Sequence, residues 1–213
     1  MKPSVVHRTA WLTLLALGFA GSTHAFVVNI KKGNEAVYLR VGDGEFNGFY
    51  SDNPAATPVN STYPANVVSV SVPAANVGDG SMRLMGGTSR PTSDYEGYGV
   101  CNAGQTYIGG FYRGDKKGGT AVLTATVTKP LTNATGETIA FSRISWASSG
   151  NGPDGAIVGQ PVPGGSFNGG TQALAGFPVN TWRESCHTFS YANVAVVAAG
   201  TYTGTVTYTL TSP

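Results

Sequence analysis

The sequence predicts an all-β protein, a single-domain antiparallel β-sandwich of Ig-like architecture, and three observations carry that expectation. Glycine supplies 30 of 213 residues and charged residues only 11%, a balance poor in the Lys, Glu and Arg on which helices lean. Apolar residues recur with period two far more often than with period 3.6, and no run of ten residues keeps a helical stripe. Clusters of Gly, Asp and Asn punctuate these runs at the spacing of a sandwich or closed barrel. The hydrophobic share of 41% suffices for a core.

Residues 1–25 read as a secretory signal. Lys2, His7 and Arg8 give a positive start, and the apolar run Trp11–Ala20 follows. That run is about half of the roughly 20 residues needed to span a bilayer. Thr23-His24-Ala25 is a small-x-small site, so cleavage is expected before Phe26. The mature domain, 26–213, is then exported to the periplasm, cell surface or medium, with no membrane span. Removing Lys2 and Arg8 leaves 11 basic against 11 acidic residues, and a neutral chain has no electrostatic footprint for nucleic acid.

Phe26, Val28 and Ile30 alternate, Gly33-Asn34 offers a turn, and Val37, Leu39 and Val41 alternate again. A hairpin is the expected result. Further strands are expected at Asn66–Val72, Gln105–Tyr112, Thr120–Thr128, Glu137–Trp146, His187–Ala192 and Gly200–Thr211. Residues 51–65 and 151–170 read as long Pro/Gly surface loops. The last strand is the plainest: from Thr201 to Thr211 every odd position is Thr, and the even ones are Tyr202, Gly204, Val206, Tyr208 and Leu210. One face is apolar and the other a threonine ladder, both suited to a pleated, half-buried strand.

Two cysteines, Cys101 and Cys186, remain beyond the signal. In an oxidising compartment an isolated pair is expected to bridge. The immunoglobulin Cys-Trp spacing is missing, since Trp146 lies 45 residues past Cys101. His187 is the only histidine beyond residue 24, which removes His-cluster metal sites and most general-base schemes. No Gly-x-Ser-x-Gly elbow occurs. Asp94 and Glu96 form a carboxylate pair two positions apart and read as part of a solvated loop. Val-Gly-Asp-Gly at 41–44 and 77–80 lacks the alternating oxygen ligands of a calcium loop and reads as turns. No catalytic residue, cofactor or metal is therefore expected. The sequons at Asn60 and Asn133 read as turn residues.

Tyr95, Tyr98, Tyr107, Phe111, Tyr112, Trp146, Trp182, Phe189 and Tyr191 are the aromatics that matter. Core filling explains most of them. Trp182, between Asn180-Thr181 and Arg183-Glu184, is expected in an exposed polar loop, where it could serve as a platform for a glycan. That is the alternative function, a secreted carbohydrate-binding or adhesive sandwich.

The signal, the neutral Gly/Thr-rich β content, the cysteine pair and the run Gly200-Thr201-Tyr202-Thr203-Gly204-Thr205-Val206-Thr207-Tyr208 together resemble subunits of chaperone–usher fimbriae and relatives of spore coat protein U. The resemblance implies a groove left by a missing strand, filled first by a periplasmic chaperone and then, at the usher, by the N-terminal extension of a neighbouring subunit. On this chain Tyr202, Val206, Tyr208 and Leu210 would line the groove, and Phe26, Val28 and Ile30 would be the donor residues.

Overall fold

The computed structural model describes residues 27–43, 66–89, 92–94, 99–115, 118–149 and 160–213. In chain order the strands are β1 (Val27–Asn29), β2 (Ala36–Val41), β3 (Met82–Leu84), β4 (Thr106–Arg113), β5 (Thr120–Thr132), β6 (Thr138–Ile139), β7 (Ile144–Ser149), β8 (Gly165–Ser166), β9 (Thr171–Pro178), β10 (Thr181–Ala192) and β11 (Thr203–Thr211). They form two antiparallel sheets that pack face to face. The first runs β2-β4-β10-β7-β8 with β1 and β3 also on β10, and the second runs β11-β5-β6 with β9 on β5. The all-β sandwich expected from the period-two pattern is the fold of this chain.

The sheets meet over two apolar clusters. Trp146, Phe189, Tyr191, Ile144 and Met85 of the first sheet pack on Ala125, Ile139 and Phe141 of the second side. Ile108 and Tyr112 pack on Leu123, Phe177 and Leu210. Their side chains alternate along each strand, as the pleat requires.

Four expectations are corrected. The first is the hairpin over 26–41. β1 pairs with β10 (Val27↔Arg183, Val28↔Trp182), and β2 pairs with β4, so two strands separate them. Val28 and Ile30 pack on Tyr38, Phe111 and Trp182, an aromatic cluster drawn from β2, β4 and β10 that a two-stranded hairpin of β1 and β2 could not supply. The second is Glu137–Trp146, which a 3-10 turn at Phe141–Arg143 divides into β6 and β7. The third is Trp182, fully buried in β10 rather than exposed in a loop.

β4 and β10 explain that miss. All eight residues of β4 are buried, because the first sheet is covered on its outer face as well as its inner one. A strand buried on both faces loses the alternation by which strands are recognised. The fourth is the strand expected at Asn66–Val72, which does not form: burial alternates along it, but among the described residues it makes one isolated bridge, Ser69↔Gly86. No helix among the described residues is long and apolar enough to cross a membrane.

Candidate functional site

Two features stand out, one on the outer face of the first sheet and one along a side of the sandwich. On the outer face, Tyr38, Phe111 and Trp182 cluster with ring centroids 5.7–5.8 Å apart, Tyr38 stacked on Trp182 and Phe111 tilted against both. Beside them Glu184, fully buried, accepts on one oxygen from Tyr107 Oη (2.8 Å), Ser93 Oγ (2.9 Å) and Trp182 Nε1 (3.1 Å). Gly109 makes this possible, since a Cβ there would meet Tyr107 Oη at 2.2 Å. Burial, and then the Glu184 charge, push the Tyr107 hydroxyl well above its ordinary pKa. Arg40 Nη1 reaches Asp94 Oδ1 and Oδ2 at 2.7 and 2.8 Å, and both side chains are buried. Asp94 is thus an ion-pair partner, not a member of a solvated loop; Glu96, Tyr95 and Tyr98 lie outside the described residues.

The bridge Cys101–Cys186 is formed, with the Cα atoms 5.5 Å apart. It pins residues 99–105 over this face, with Val100 and Tyr107 around the sulfurs. The aromatic residues considered for a glycan platform are, where described, all buried. Tyr107, Phe111 and Trp182 fill the outer face rather than the space between sheets.

The second feature is the side bounded by β2, residues 66–72 and β11. β2 hydrogen-bonds only β4, and β11 only β5, so among the described residues each leaves one backbone edge without a partner. Asn66 Nδ2 donates to Val41 O at 2.5 Å, which starts the 66–72 segment where β2 ends. The apolar side chains turned inward here are half-buried: Val37, Leu39 and Val41, Val68, Val70 and Val72, Tyr202 just before β11, and Val206 and Tyr208 within it. Leu210, at the far end of the strand, is buried. Of the four residues expected to line a groove, Val206, Tyr208 and Leu210 share the core-facing side of β11 and Tyr202 packs on the core just before it, while Thr203, Thr205, Thr207, Thr209 and Thr211 are exposed.

β11 carries no charge and no proline, the usual protections of an edge strand; its register with β5 shifts on either side of Thr205. Of the expected donor residues, Phe26 lies outside the described residues, and Val28 and Ile30 rest half-buried beside Trp182 of their own chain. The turns behave as expected. Gly78 and Gly80 have positive φ around Asp79, whose carboxylate accepts from Ser81 Oγ, Ser81 N, Asn193 Nδ2 and the Arg83 guanidinium. Asn133 Oδ1 accepts from Thr135 N and Glu137 N, so this sequon asparagine organises a turn. Among the described residues no three metal-ligating side chains cluster.

No family model matches this chain, and neither a curated protein nor a solved structure matches it.

Proposed function

We propose that the protein is a structural subunit of an exported, fimbria-like surface fibre whose subunits join by strand addition. The observation that supports this reading is the open side: two backbone edges without a strand partner among the described residues flank a seam of half-buried apolar side chains. Such a seam is completed by an extended segment with apolar residues at alternate positions. Phe26, Val28 and Ile30 have that spacing, and β1 would leave β10 to fill the seam of a neighbour. Before assembly a periplasmic chaperone would occupy it, and an usher would exchange one for the other.

The test uses the chain from residue 26 onward. Sedimentation velocity should find end-to-end polymers. Deleting residues 26–32 should leave a folded monomer that takes up a synthetic peptide of those residues. Thr207→Lys with Thr209→Lys should abolish uptake, which assigns it to β11 rather than to the vacated edge of β10. A chain that stays monomeric and binds no peptide defeats the proposal.

A further inference from the structure

Residues 160–163, expected as part of a surface loop, instead enter the sandwich. Val162 is fully buried and packs in the cluster with Ile108, Leu123 and Phe177. Its neighbourhood is held through main-chain groups by four polar side chains. Ser185 Oγ accepts from Val162 N at 3.0 Å, and His187 Nε2 lies 3.1 Å from Val162 O. Arg183 Nη1 donates to Pro161 O at 3.3 Å and Trp146 Nε1 to Pro163 O at 2.9 Å. Three of these four come from the inner face of β10, at alternate positions.

This seat is incompletely satisfied. Among the described residues His187 Nδ1, Ser148 Oγ, Arg183 Nε and Gln160 Oε1 are buried polar atoms with no hydrogen-bond partner, and Ser148 is the register partner of His187. Buried orphans of this kind are rare in native proteins and each weakens the state that holds it. Because Val162 O can only accept, Nε2 carries the ring proton, and the orphaned Nδ1 is where a second proton would bind.

We propose that Gln160–Pro163 is a detachable plug, and that protonation of His187 unseats it. A proton on Nδ1 puts a cation where no described group is within hydrogen-bond reach of it and the adjacent Ser148 hydroxyl is uncharged. The groups facing the ring are Trp146, stacked at 5.8 Å, and Phe189, with Ser148 and Val162; none is charged. The nearest charge on this face of β10 is Arg183, also positive. The second sheet presents Leu123 and Phe177 to the plug, both apolar. Burial accordingly draws the ring pKa down to about 4 from 6.5, the Val162 carbonyl opposing it weakly. Once the plug leaves, water reaches the imidazole and its ordinary affinity for a proton returns, so acid favours the open form.

The test follows amide hydrogen exchange of a peptide covering residues 160–164 between pH 7 and pH 4, corrected for the intrinsic pH dependence of exchange. Opening should increase by about a hundredfold over that range, the ratio that the two proton affinities imply. β5 and β11 should keep their protection. His187→Gln retains an N–H for Val162 O and cannot titrate, so its plug should show no such increase. The proposal is overturned if His187→Gln responds to acid as the wild type does, or if both sheets lose protection together with the plug. Should that variant not fold, the wild-type ring titration by NMR decides: a midpoint near 4 supports the latch, and one above 6 overturns it.

Discussion

The covered outer face of the first sheet and the open side along β2 and β11 solve opposite problems. On the outer face, Glu184, Arg40 and Asp94 are buried with short hydrogen bonds, and a disulfide ties the covering segment to β10. On the open side, among the described residues, there is no ion pair, β2 and β11 each have an edge without a strand partner, and the apolar residues are only half covered. The difference teaches that stability and capacity for association occupy separate parts of this molecule. Buried polar networks specify one arrangement and resist change, whereas an uncharged edge strand remains ready to pair.

The sharpest way to break the comparison is to remove the covered face's tether. Replacing Cys101 and Cys186 by alanine should cost about 4.5 kcal/mol on the chain-entropy model, read as a lower urea midpoint, yet leave peptide uptake on the open side unchanged. Next comes Glu184→Ala, which removes the acceptor shared by Tyr107 Oη, Trp182 Nε1 and Ser93 Oγ. Its expected cost is about 3 kcal/mol in the same denaturation, and Gly109→Ala should weaken the same network by displacing the Tyr107 ring.

The inner face supplies an intermediate case, a buried titratable group left partly unsatisfied. The unfolded chain takes up a proton on His187 below pH 6.5, while the folded one resists until about pH 4. Stability is therefore complete above pH 6.5 and falls through that window, by as much as about 3 kcal/mol at its lower end. Urea melts across pH should show the loss, and His187→Gln should flatten it.

The smallest effect on stability belongs to the open side. Thr207→Lys and Thr209→Lys lie on the exposed face of β11 and should change stability by no more than about 0.5 kcal/mol. The same pair should nevertheless eliminate association, since lysine on an edge strand opposes pairing. A pair that destabilises the fold by several kcal/mol would show that the open side bears stability after all.

Much of this was legible in the chain itself. β11 alternates Thr with Tyr, Val and Leu because one face meets the core and the other meets water, and period two records that arrangement directly. The cysteine pair was legible from its isolation, and the turns at Gly78–Gly80 and Asn133–Gly136 from residue types that tolerate left-handed or self-bonded backbone.

Tertiary structure decided the rest, and the reason is that partners far apart in sequence decide which polar residues can be buried. Trp182-Arg183-Glu184-Ser185 reads locally as a polar loop. It is the middle of the first sheet because Tyr107 and Ser93 cover one face while residues 161–162 cover the other. The pairing of β1 with β10 likewise depended on the aromatic cluster of Tyr38, Phe111 and Trp182, three residues from three strands. Local pattern determines which stretches extend and which faces are apolar; only the assembled sheets determine which neighbour each strand finds, because that choice rests on surfaces that exist only after folding.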